Sequence, residues 1–77
     1  MSKLPVVTAK DLERVLYVAG FFTVRQKGSH VFYRHPDGRT TTVPHHKGHD
    51  IARPLLRSVL RDIKMDVDSF VVLLKKI

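Results

Sequence analysis

The fold turns on the stretch FFTVRQKGSHVFYRHPDGRTTTV, residues 21–43. Phe21 to Lys27 is aromatic and β-branched, with Phe22 and Val24 alternating against Thr23 and Arg25, the period-two signature of a strand. Gly28-Ser29 is short and flexible enough for a tight turn. His30 to Arg34 alternates again, with Val31 and Tyr33 on one side and His30 and Phe32 on the other. Pro36-Asp37-Gly38 is a turn signal, and the threonine-rich run Arg39 to Val43 suits a third strand. Connections this short join antiparallel neighbours, because a parallel pair needs a long crossover.

Working outward, Thr8 is a good helix N-cap: its hydroxyl can accept from a free N–H of the first turn, and Asp11 suits the positive helix end. Leu12, Val15, Leu16 and Ala19 then recur at helical spacing, and Gly20 stands where a C-terminal glycine belongs. This predicts a helix from about Thr8 to Ala19. On the other side, Pro44 to Ala52 is polar and histidine-rich and reads as a loop. Pro54 fits a first helical turn, Leu56, Val59, Leu60 and Ile63 line one face of that helix, and Asp66 can cap a last helix bearing Phe70, Leu73 and Leu74. The expectation is a small α+β fold in the order α-β-β-β-α-α. Its three-stranded antiparallel sheet has helices on one face and leaves the other open, and residues 1–77 form one domain. The predicted core includes Leu12, Leu16, Val59, Leu60 and Phe70.

At 77 residues the chain can bury a thin two-layer core, so any site is a shallow surface feature, better suited to a polymer than to a small molecule. Fourteen basic against seven acidic side chains leave a net charge of +7. Nucleic acid is the commonest partner for that balance, since Lys and Arg displace counterions from phosphates; an acidic protein is the other. The absence of cysteine excludes disulfides and thiolate metal sites, and makes a reducing cytoplasm the default compartment. The longest apolar runs, Val15 to Phe22 and Phe70 to Leu74, fall far short of the roughly 18 residues of a membrane span.

Five histidines, His30, His35, His45, His46 and His49, are the main chemical resource. Histidine can give or take a proton near neutral pH. RNA can be cut with nothing more: a base deprotonates the 2′-hydroxyl, which attacks the adjacent phosphorus, and an acid protonates the departing 5′-oxygen. His30 opens a strand just after a Gly-Ser turn. Gly28 lets a phosphate or ribose approach the backbone, the Ser29 hydroxyl can donate to phosphate oxygens, and Arg25, Lys27 and Arg34 flank the turn. On pattern alone, an ordinary polar histidine at a strand edge accounts for His30 as well or better.

His45 and His49 have the four-residue spacing of zinc ligands on a helix, but Pro44 and Gly48 oppose a helix there, and no cysteine completes a set. The segment reads either as a solvated loop or as a phosphate-binding loop in which His46 or Lys47 assists. Arg53, Arg57 and Arg61, with Lys64 close to the same line, form a basic stripe opposite the leucines. Such a stripe serves equally as a solvated face, a phosphate contact or a surface for an acidic partner.

The ordered set of segments resembles the HicA family of toxin–antitoxin toxins, described as mRNA interferases. The likeness runs from Leu4-Pro5 to Leu74. It rests on Gly20-Phe21, on Arg25-Gln26-Lys27-Gly28-Ser29-His30, on Pro36-Asp37-Gly38, on Val43-Pro44-His45-His46-Lys47-Gly48 and on Leu56-Arg57-Ser58-Val59-Leu60. The resemblance implies a fold like that of double-stranded-RNA-binding domains, a catalytic histidine at His30 and a HicB-type antitoxin that covers the site. Of the adjacent His45 and His46, His46, two residues after Pro44, is favoured as the match to the histidine of the family's proline–histidine segment. The chain departs from the pattern at Pro54-Leu55, where the family often has Gly-Thr, and at Lys64, where it often has a glycine between the last two helices.

These observations lead to an expected metal-independent endoribonuclease acting on mRNA, with no cofactor. His30 is the catalytic residue, and Lys27, Gly28, Ser29, His46 and Lys47 contact RNA. The alternative is a non-catalytic module for double-stranded RNA on the same fold. Such a module needs basic side chains at the start of its last main helix. Arg53 and Arg57 are present, but the Lys-Lys cluster typical of such modules is not.

Overall fold

The computed structural model describes residues 3–77. Its elements are α1 (Ala9–Val18), β1 (Phe22–Lys27), β2 (His30–Arg34), β3 (Thr40–Pro44), α2 (Arg53–Asp62) and α3 (Val67–Lys76). The three strands form one antiparallel sheet in the order β1-β2-β3. The helices pack on one face, as the sequence predicted, and that face is the one carrying Val31, Tyr33 and Val43. The arrangement is consistent with a fold like that of double-stranded-RNA-binding domains.

Thr8 caps α1 through a reciprocal pair. Its hydroxyl accepts from the Asp11 N–H at 3.1 Å, and the Asp11 carboxylate accepts from the Thr8 N–H at 3.3 Å. Both α1 and α2 end in the same hydrogen-bonded wrap. In α1 the Gly20 N–H donates to the Tyr17 carbonyl and the Phe21 N–H to that of Leu16; in α2 the Lys64 N–H donates to Arg61 and the Met65 N–H to Leu60. The wrap needs a left-handed residue, which is Gly20 at φ 98° in the first case and Lys64 at φ 55° in the second. Lys64, where the family resemblance leads one to expect glycine, thus holds a glycine conformation. The start of α2 has no side-chain cap; Pro54 in its first turn simply lacks one of the N–H groups that would need a partner. Asp66 caps α3, accepting from the Ser69 N–H at 2.7 Å.

The core contains all five residues expected there: Leu12, Leu16, Val59, Leu60 and Phe70 are buried, joined by Tyr33, Val43, Leu56 and Ile63. Arg39, just before β3, ties the sheet to the end of α2. It donates to the Ile63 carbonyl, pairs with Asp37 at 2.8 Å and lays its guanidinium over the Phe21 ring at 5.1 Å. Nearby, the Thr41 hydroxyl donates to the Asp62 carboxylate at 3.0 Å. No helix among the described residues is long and apolar enough to cross a membrane.

Strand β1 departs from simple alternation. Thr23 faces Tyr33 and Arg25 faces Phe32, so Val24 is the extra residue of a β-bulge. Beyond the bulge the side-chain alternation is reset. Arg25 and Lys27 project from the same face as Phe32 and His30, whereas unbroken alternation sends Arg25 to the opposite face. Phe22 and Val24, hydrophobic by type, are about half exposed, at 47% and 53%.

Candidate functional site

The β1–β2 turn carries the residues singled out as Lys27, Gly28, Ser29 and His30. Lys27 and His30 close the hairpin as a directly opposed pair, and His30 also faces Pro44 on β3. Gly28 turns the chain at φ 59°, and a side chain there would meet nothing within 4 Å, so its backbone is open to a ligand. The Gln26 side-chain amide donates to the Gly28 carbonyl at 3.0 Å and stiffens the turn. Ser29 is half-buried, and its carbonyl accepts from the His45 N–H at 2.7 Å. His30 is exposed at the first position of β2.

That bond to His45 ties the turn to the loop after β3, and the loop is anchored in turn by a polar relay. Tyr33, 1% exposed, donates its hydroxyl proton to Glu13 of α1; its oxygen lies 2.9 Å from His45 Nε2. With that single proton committed to Glu13, the contact with His45 takes Nε2–H as its donor and the Tyr33 oxygen as acceptor. Burial first, then the hydrogen bond to Glu13 and its charge, push the Tyr33 phenol well above its ordinary value, so it stays neutral. Sequence reasoning missed this relay. Glu13 reads as one more polar residue of α1 and Tyr33 as core, and only the packing of α1 across β2 brings them to His45.

His46 and Lys47 do not join the Gly28–Ser29 turn through any hydrogen bond of the relay. Both are exposed, and they line a groove of about 530 Å³ between the loop and the start of α1, with Thr8, Lys10 and His49. The ring of His46 stands 6.4 Å from that of His49. The segment is not helical, so His45 and His49 do not share a helix face: His45 turns to Tyr33 and His49 to His46. Among the described residues no three His, Asp or Glu side chains gather closely enough to hold a metal ion.

The open face of the sheet continues from His30. Arg25, Lys27 and Arg34 are exposed there, and the Arg25 guanidinium lies over the Phe32 ring at 4.8 Å. The remaining histidine, His35, is half-buried away from this face, edge-on to Phe21 at 5.1 Å, and its Nδ1 accepts from the Asp37 N–H at 3.1 Å. Asp37 is itself held below its ordinary value, first by the Arg39 N–H donating to it and further by the Arg39 guanidinium. Arg53, Arg57, Arg61 and Lys64 are all exposed, and Arg53 donates to the Leu4 carbonyl at 3.4 Å.

The sequence model of the family described as the HicA toxin of bacterial toxin–antitoxin matches residues 9–65, from the first turn of α1 to the end of the α2 wrap. The chain belongs to the HicA toxin family. None of the curated proteins compared with it is similar enough to count as a match. Membership makes the protein a toxin of a toxin–antitoxin pair, and the matched span holds the whole sheet, the Lys27–His30 turn and the histidine loop. Helix α3 lies beyond that span, and its Phe70 is fully buried in the shared core.

Proposed function

We propose that this HicA-family chain is an endoribonuclease that cuts mRNA without a metal, acting as one unit over residues 1–77 in the cytoplasm. A HicB-type antitoxin restrains it by covering His30. The observation that carries this reading is the position of His30. It is exposed beside an open glycine turn, on a sheet face that presents Arg25, Lys27 and Arg34. An RNA phosphate drawn to those cations meets the backbone at Gly28 and Ser29 without steric hindrance. His30 then takes the 2′-hydroxyl proton, or returns one to the leaving 5′-oxygen. The relay from Glu13 through Tyr33 to His45 keeps the Ser29 carbonyl, and with it the turn, in place. His46 and Lys47, in the neighbouring groove, extend the phosphate contacts along the strand.

The test incubates labelled single-stranded RNA with the protein and with His30→Ala, each with and without a chelator. Loss of roughly 10²–10⁴ in rate is expected for His30→Ala. The products should bear a 2′,3′-cyclic phosphate and a 5′-hydroxyl, and DNA should not be cut, because it lacks the attacking hydroxyl. Undiminished cleavage by folded His30→Ala removes His30 from the chemistry. Loss of cleavage in chelator moves the chemistry to a metal. Tight binding of duplex RNA with no cleavage by either protein favours the non-catalytic module.

A further inference from the structure

We propose that the Arg25–Phe32 pair is a stacking subsite for a nucleobase of single-stranded RNA, one nucleotide along from the phosphate held at His30. This rests on the RNA reading above and adds to it a contact with a base rather than with the sugar–phosphate chain.

Four observations converge on it. His30 and Phe32 lie two residues apart on β2 and share a face, a separation of about 6.6 Å along the strand. The Arg25 guanidinium carbon lies over the Phe32 ring, 4.8 Å from its centre, and Arg25 is exposed. The pair borders a shallow depression of about 470 Å³ that also includes Arg34, Thr40 and Thr42, whose hydroxyls and guanidinium can meet a base edge or a phosphate. The strand pairings put Phe22, Arg25, Lys27, His30, Phe32, Arg34, Thr40, Thr42 and Pro44 on this face, so three arginine or lysine side chains meet no carboxylate.

The chemistry of the occupant follows from these features. A planar guanidinium on an aromatic ring offers a delocalised surface to any base, and the same cation attracts the adjoining phosphate. The face is cationic and lacks an acid, which fits a polyanion and opposes a basic partner or a second copy of this +7 chain. The bulge at Val24 is what makes the pair: without its extra residue, Arg25 falls on the helix-covered side and Phe32 has no cation over it.

The experiment measures binding of the full chain to a short 2′-O-methyl oligonucleotide, which cannot be cut, and to a chain of the same length and charge lacking its bases. The wild type should prefer the base-bearing strand by about 5- to 150-fold. Phe32→Leu should remove most of that preference while leaving binding to the baseless strand unchanged, and Arg25→Lys should likewise remove most of it, measured as the ratio of the two affinities. Arg25→Lys keeps the charge, so the salt dependence should also be unchanged. Phe32→Tyr should retain the preference. Equal wild-type affinity for the two strands overturns the stacking subsite and leaves the RNA reading standing; so does a preference that survives both Phe32→Leu and Arg25→Lys. If the wild type binds neither strand, the RNA reading fails and the subsite with it. If Phe32→Leu instead converts a dimer to monomer with the base preference intact, the face is an interface between copies and the subsite is overturned.

Discussion

The backbone N–H of His45 donates to the carbonyl of Ser29 across 2.7 Å, joining the turn before His30 to a loop that is itself held through Tyr33 to Glu13. The exposed histidine proposed to do chemistry therefore sits at the end of a chain of contacts reaching into the helix layer. This relay makes the first prediction. Tyr33→Phe keeps the ring, including its edge contact to Tyr17 at 6.3 Å, but removes the hydroxyl that Glu13 and His45 share. Those two groups still face each other across 3.7 Å, so losing the hydroxyl between them should cost about 0.5–1.5 kcal/mol in urea unfolding. Hydrogen exchange of the His45 amide should quicken, and RNA cleavage should fall although His30 is untouched. Unchanged exchange at His45 would show that the relay does not hold the loop.

The two left-handed helix ends predict opposite effects. A methyl group at Gly20 would come within 2.8 Å of His35 Nε2 and force φ 98° on a residue with a side chain. Gly20→Ala should therefore lose about 1–3 kcal/mol. Lys64 already bears that kind of conformation at φ 55°, so Lys64→Gly should gain about 0.5–1 kcal/mol after the extra chain entropy of glycine is counted. Thermal unfolding of the two variants checks the pair.

Leu60 is 4% exposed in the core between α2 and the sheet. Leu60→Ala should cost about 2–5 kcal/mol, with the spread set by how far its neighbours relax into the space. A loss well under 1 kcal/mol in chemical denaturation would mean that the site collapses or that the core lies elsewhere.

Acid should weaken the cap of α3. The Ser69 N–H donating to Asp66 holds its carboxyl below the ordinary value of 3.8, so the folded chain binds that proton less readily than the unfolded one. The cap's contribution is full above the ordinary value and is lost as pH falls through the lowered one. Asp66→Asn keeps a capping oxygen and removes the titration, so the fall in melting temperature below about pH 4 should become shallower. Asp37, lowered in the same direction by Arg39, contributes to the acid limb that remains.

His30→Ala, beyond its effect on cleavage, should leave the melting temperature nearly unchanged. The ring is exposed at the strand end, and substitutions at such positions usually stay within about 0.5 kcal/mol. A large loss of stability would give His30 a structural role and weaken its use as a test of mechanism.

Much of the architecture was legible in local pattern. The alternation of β2 separated Val31 and Tyr33 from His30 and Phe32, because side chains of a strand alternate whatever surrounds them; which of the two sides the helices cover was decided by the packing. Thr8, Gly20 and Asp66 marked helix ends through short-range hydrogen bonds and backbone sterics, which need no distant partner. The segments resembling HicA toxins were legible for the same reason: they are contiguous residues in a fixed order.

What only the tertiary structure decided depends on residues far apart in the chain. The relay from Glu13 to Tyr33 to His45 spans three elements, and nothing in any one of them marks the other two. Of the neighbouring histidines His45 and His46, the sequence favoured His46 as the helper, but it is His45 that turns inward to Tyr33 while His46 faces His49 in the groove. The side of the sheet on which Arg25 lies was also beyond the sequence. A bulge is one unpaired residue against a partner strand, so it exists only once the register of β1 on β2 is set. Periodicity within a strand determines which residues share a face; pairing between strands determines where that periodicity is interrupted, and here the interruption brings Arg25 over Phe32 beside His30.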